Sequence, residues 1–270
     1  MKNYSENFLT KSIPVSGVLF AFILILIAAF LTIIITPLVH LLSLRFPVLI
    51  DWELFLDYTL PFGITLFIAM RGWNIQTFEQ RKVSWVLFVI LIPIVVALSA
   101  LAESIASLIP MPDRFEELMS RMVTFNLPGY LMIGIAAPIL EELIFRGVIL
   151  RGLLTTHSAR KAIIWSAIIF GVAHMNPWQF VPAFLIGLVI GWLYWQTRSI
   201  WPGIFIHFLN NSLSFLIGYL TRDVNTTFSE LTGGNINYAL FLIASAMVCL
   251  GGYFLINKHL RKVRQTYQNS

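Results

Sequence analysis

The sequence predicts an all-α, polytopic membrane protein, with about eight transmembrane helices around a polar intramembrane cavity. Three observations carry this. The chain of 270 residues is 58% hydrophobic and 11% charged, less than half of the roughly 25% that soluble domains carry and too little to cover a water-facing surface. Its apolar residues gather into runs near the spanning length of about 20 residues. Ionisable and amide side chains interrupt three of those runs at one depth.

The runs fall at roughly 14–42, 54–70, 83–107, 128–151, 161–175, 179–196, 199–219 and 237–257. The first exceeds the length needed, and Pro37 gives it a place to kink. The fifth and sixth are joined only by Asn176, Pro177 and Trp178, so their turn is expected below the membrane surface, under cover of protein. Between the third and fourth, Asp113 and Glu116 read as a capping box. Phe115, Leu118, Met119 and Met122 follow at helical spacing, a short interfacial helix. Gly187 and Gly191 form a small-residue stripe suited to helix packing, and Cys249 reads as a small apolar packing residue. No disulfide is expected from one cysteine. The apolar run near the N-terminus is too long for the h-region of a cleaved signal, which spans about 7–15 residues.

Basic residues orient the spans. With the N-terminus in the cytoplasm, the inner segments hold Lys2, Lys11, Arg71, Arg81, Lys82, Arg151, Arg160, Lys161, Arg198, Lys258, Arg261, Lys262 and Arg264, while the outer ones hold only Arg45, Arg114, Arg121 and Arg222. This bias predicts both ends on the cytoplasmic side; a compact chain without a targeting segment makes a bacterial plasma membrane the expected setting. The bias also accounts for the net charge of +5 without a nucleic-acid partner. The chain divides into an N-terminal part, 1–127, with three spans and the interfacial helix; a core, 128–219; and a last helix with its basic tail, 220–270.

Ionisable groups inside a span cost about 2.5–3.5 kcal/mol each on insertion scales, so each needs a reason. The fourth run carries Glu141, Glu142 and Arg146. Glu142 and Arg146 are i,i+4 and can pair along one face. Glu141 lies about 100° around the helix and needs another partner. The fifth run ends in FGVAH, bringing Phe170 and His174, and the seventh brings His207 and Asn211, again i,i+4, with Asn210 turned away. At about 1.5 Å per residue from the nearest cytoplasmic basic residue, Glu141 lies about 15 Å deep, His174 about 20 Å, His207 about 14 Å and Asn211 about 20 Å. All fall near the middle of a hydrocarbon core about 30 Å thick. A carboxylate can draw a proton from water, an imidazole can orient that water, and a His and Asn one turn apart can donate to an oxyanion. These groups suit amide hydrolysis without a covalent intermediate. The sequence holds neither a Gly-x-Ser-x-Gly elbow nor a His-Glu-x-x-His zinc helix.

At these residues the chain resembles the CPBP family, the CAAX proteases and bacteriocin-processing enzymes also called Abi proteins. Its Glu-Glu-x-x-x-Arg motif is matched by Glu141, Glu142 and Arg146. Its Phe-x-x-x-His motif is matched by Phe170 and His174, and its His-x-x-x-Asn motif by His207 and Asn211. The resemblance covers about 128–219. It implies an eight-helix intramembrane endopeptidase opening toward the cytosol. Glu141 would be the base, His174 would help it hold water, and His207 and Asn211 would form the oxyanion hole. Glu142, Arg146 and Phe170 would support the site. No cofactor is expected; the metal-dependent alternative has zinc on Glu141, His174 and His207. The substrate implied is a membrane-associated peptide or protein, lipidated in the CAAX proteases. Rival readings are a non-catalytic immunity or scaffold protein that only binds, and a proton-coupled transporter. The inverted repeats expected of a transporter are not seen.

Overall fold

The structure, a computed structural model, describes residues 17–72, 81–121 and 123–268. Every regular element among them is helical. In chain order these are α1 (Gly17–Arg45), a 3₁₀ turn (Pro47–Trp52), α2 (Glu53–Gly72), α3 (Trp85–Ala106) and α4 (Asp113–Arg121). Next come α5, a helical run over residues 127–156, α6 (Ala159–Val172), α7 (Pro177–Thr197) and α8 (Trp201–Thr221). The short α9 (Phe228–Leu231) and α10 (Asn235–Gln268) complete the chain. Lys2, Lys11, Met122 and the predicted start of the first span at 14–16 lie outside the described residues.

Among the described residues, six helices are long and apolar enough to cross a membrane: α1, α2 with its 3₁₀ turn, α3, α7, α8 and α10. Their outer faces are apolar and exposed, as at Leu26, Phe30 and Ile33 of α1 and Leu240, Ile243 and Leu250 of α10. Lipid is the solvent for such a surface, and the chain is an integral membrane protein. The other two expected spans are α5 and α6; α5 departs from a plain α-helix, and α6 is a plain α-helix but short.

In α5 the backbone widens into π-helix over Leu131–Ala136 and again over Leu143–Leu150, with α-helix between at Ala137–Glu142. Pro138 explains the first widening. It has no N–H, and the N–H of Ala137 reaches back five residues to the carbonyl of Met132. The carbonyl of Ile133 is thereby left without a donor on its own helix. The two glutamates close the α-helical stretch between these π segments, a frequent arrangement at functional sites.

α6 has 14 residues and rises about 21 Å, short of a hydrocarbon core of about 30 Å. It stops at Val172, so His174 sits on the following turn and not on a helix, a correction to the expected span. Met175 turns the chain at φ 56°. Asn176 then caps α7, its side chain accepting from the Gln179 N–H at 2.8 Å and donating to the His174 carbonyl at 3.0 Å, with Pro177 opening the helix. α4 covers this turn through Phe115, whose ring centroid lies 4.7 Å from that of Trp178. The capping box expected at Asp113 is absent: the Pro112 carbonyl takes the first helical bonds, and Glu116 accepts from Asn225. A reciprocal box forms instead between Thr227 and Glu230, at the start of α9.

Two apolar cores hold the bundle. One joins α1, α2, α5, α6 and α7 around Phe20, Leu66, Val148, Ile163 and Phe170; the other joins α3, α7, α8 and α10 around Leu91, Ile190, Ile206 and Ile256. The glycine stripe of α7 packs on α6: a Cβ at Gly187 would stand 3.3 Å from Phe170, and one at Gly191 3.2 Å from Ile163. α5 packs between α2 on one side and α8 on the other.

Candidate active site

The polar cluster is built on α5. Arg146 Nη1 donates to Glu142 Oε1 at 2.7 Å, one helical turn away, and both side chains are essentially sealed from the surface. The Arg146 guanidinium also lies 4.5 Å over the Phe170 ring, and its Nη2 reaches the Gly187 carbonyl at 3.4 Å. A buried charge held on three sides is no longer an isolated ion. The expected pairing of Glu142 with Arg146 is therefore present.

His207 of α8 meets both glutamates. Its Nδ1 lies 3.2 Å from Glu142 Oε1, and its Nε2 lies 3.9 Å from Glu141 Oε2. A carboxylate paired with arginine only accepts, so Nδ1 carries a hydrogen, and Nε2 is the ring atom turned toward Glu141. Glu141 finds its partner on α2: the Tyr58 hydroxyl donates to Glu141 Oε1. Glu141 Oε2 is buried and has no hydrogen-bond partner. A buried carboxylate oxygen without a partner costs at least about 1–3 kcal/mol, and Glu142 Oε2 and Arg146 Nε of the same cluster are left in the same way.

His174 donates from Nδ1 to the Phe170 carbonyl at 2.9 Å. It stands edge-on to the Phe170 ring at 5.2 Å, with His207 edge-on to the same ring at 5.6 Å. Among the described residues it forms no ion pair with either glutamate, and the imidazole next to Glu141 is that of His207. Both imidazoles donate their Nδ1–H to oxygen, as metal-ligating histidines do. Yet no three His, Cys, Asp or Glu side chains among the described residues are gathered closely enough to hold a metal ion. The zinc set of Glu141, His174 and His207 is not assembled.

Asn211 donates from Nδ2 to the Ile133 carbonyl at 2.9 Å, the oxygen orphaned by Pro138 and the π turn. One amide hydrogen remains. Asn210, which helix geometry turns away from Asn211, is nevertheless tied to the site. Its Nδ2 donates to Asn211 Oδ1 at 3.2 Å, and its Oδ1 accepts from Ser99 of α3 at 2.7 Å. The Asn211 amide is thus oriented from both ends.

Gly203 of α8 makes room for Glu142. A Cβ there would stand 2.8 Å from Glu142 Oε2 and 2.7 Å from Ile190 Cγ2. Gly203→Ala is expected to lower stability by about 1–3 kcal/mol through overpacking, read as a lower thermal unfolding temperature in detergent; an unchanged temperature would show that the carboxylate has room to move.

Sequence reasoning did not identify Tyr58, Ser99, Asn210, Gly203 or the Ile133 carbonyl as parts of the site. Only Pro138, inside an apolar run, was a visible signal for any of them.

Residues 122–213 match the family model described as Type II CAAX prenyl endopeptidase Rce1-like. That segment includes all seven motif residues, from Glu141 to Asn211, and excludes Tyr58 and Ser99. Among curated proteins, the chain is 34% identical over 79 residues to the "Putative membrane peptidase YdiL" of Bacillus subtilis (strain 168), covering 29% of this chain and 32% of that protein. The chain therefore matches about a third of the length of this curated relative. No solved structure matches it.

Proposed function

We propose that this chain, whose residues 122–213 match the Rce1-like family model, is an intramembrane endopeptidase of the CPBP type in which Glu141 activates water. The observation that carries this is the buried, unpartnered Glu141 Oε2, 3.9 Å from His207 Nε2. Water held by both groups turns a lone pair toward a peptide carbonyl. As its oxygen bonds to the carbonyl carbon, its proton passes to Glu141 Oε2. The C–N bond then breaks as Glu141 returns that proton to the departing nitrogen, and the acid product gives its remaining proton to the amine, leaving a carboxylate and an ammonium. The remaining Nδ2 hydrogen of Asn211 donates to the oxyanion. His207 keeps its orientation through Glu142, which Arg146 holds, and His174 stands at the edge of the site against the Phe170 ring.

In this reading His207, and not His174, shares the water with Glu141. The substrate class is a peptide or protein segment held at the membrane, and a lipidated tail is the form suggested by the family description. The charge bias supports placing both chain ends in the cytoplasm.

Comparative peptidomics of membranes carrying the wild-type protein or Glu141→Gln tests the proposal. Peptides produced only with the wild type are expected, at equal expression. Identical peptide sets would leave the binding-only immunity or scaffold reading in its place.

A further inference from the structure

We infer that Tyr58 is a positioning residue for Glu141, so that the catalytic machinery extends into α2, outside the family-matched segment. This rests on the reading of Glu141 as the base.

A carboxylate has two equivalent oxygens, and its terminal torsion is broad and roughly two-fold. Nothing in glutamate itself determines which oxygen faces the water. Here the difference is imposed from outside. The phenol of Tyr58 has one hydrogen, and a carboxylate can only accept it, so Oε1 is taken. Oε2 is left buried, without a hydrogen bond, opposite His207 Nε2. The phenol ring is itself held: it stacks on Phe62 one turn along α2, at 4.5 Å between centroids and 15° between planes. α2 packs directly on the α-helical stretch of α5 that carries Glu141. The hydroxyl therefore arrives from a fixed ring on a packed helix, and a hydrogen bond to an ionised acceptor is among the stronger kinds. Tyr58 fixes the carboxylate torsion and assigns the role of base to one oxygen.

Tyr58→Phe keeps the ring and its stack and removes only the hydroxyl. The first measurement needs no substrate. The infrared carboxyl band of Glu141, assigned in purified protein by its loss in Glu141→Gln, is expected to shift in Tyr58→Phe. Replacing Tyr58 by 3-fluorotyrosine, which keeps the hydroxyl and makes it a stronger donor, is expected to shift the band the opposite way. A band that stays in place in both proteins overturns the inference, whatever the fate of the endopeptidase reading. The second measurement uses a peptide found by the membrane comparison. Tyr58→Phe is expected to lower kcat about tenfold with KM unchanged, the size of one charge-assisted hydrogen bond, and to add no further loss in the Glu141→Gln background. A Tyr58 that merely ties two helices together would instead leave kcat unchanged and show its loss only in the unfolding temperature. If the band shifts but the wild type cleaves no membrane peptide, the hydrogen bond stands and the protease reading fails, and with it the positioning role.

Discussion

Arg146→Ala is expected to destabilise the protein by about 3–5 kcal/mol. The guanidinium is 1% exposed and its partner Glu142 is 0% exposed. Removing the cation leaves a carboxylate with no solvent and no counter-charge, and the penalty is that of an uncompensated ion rather than of one lost contact. The cation–π contact with Phe170 and the bond to the Gly187 carbonyl go with it. Arg146→Lys is expected to fall between. An ammonium can pair with Glu142, but it lacks the planar fork that serves Glu142 and Gly187 together. Combining Arg146→Met with Glu142→Gln removes both charges and is expected to restore much of the stability lost in Arg146→Ala. Thermal unfolding in detergent checks all three. If Arg146→Ala unfolds at the wild-type temperature, the ion pair is not what holds the centre of α5.

Glu141→Gln, assayed on purified protein with a peptide identified from membranes, is expected to lower turnover by about 10²–10⁴-fold, the range for loss of a general base. The substitution keeps the shape. The amide oxygen can still accept from Tyr58, so folding is expected to survive. The amide nitrogen then faces His207 Nε2 as a donor and has no lone pair with which to take a proton from water. Turnover within threefold of wild type would remove Glu141 from the role of base.

Much of this was legible in the sequence, and the failures have physical causes. Composition and apolar runs identified an all-α membrane protein because lipid admits few other solutions. The Glu142–Arg146 pair was legible because i,i+4 neighbours are set by the helix alone. Partners across helices were not, since periodicity gives the face of a residue but not what stands opposite. Glu141 was read as needing a partner, but Tyr58, near the edge of an apolar run, resembles the aromatic belt common at membrane surfaces. The bond from His207 to Glu142 was missed for the same reason. His174 was placed on a helix, although Asn176 and Pro177 just beyond it signal a boundary. The fourth span was read as uniform α-helix, although Pro138 removes a donor from its middle and the backbone widens to compensate. At Asp113 the spacing to Glu116 fitted a capping box that Thr227 and Glu230 actually form.

The central claim is that Glu141 Oε2 and His207 Nε2 share one water inside the bundle. An experimental density map of the protein in lipid nanodiscs, at a resolution that shows ordered water, tests it most directly. The account predicts one water within about 3 Å of both atoms, with the Tyr58 hydroxyl on the other carboxylate oxygen. A protein donor filling the place of that water, or a stoichiometric metal ion held there by Glu141, His174 and His207, would contradict it.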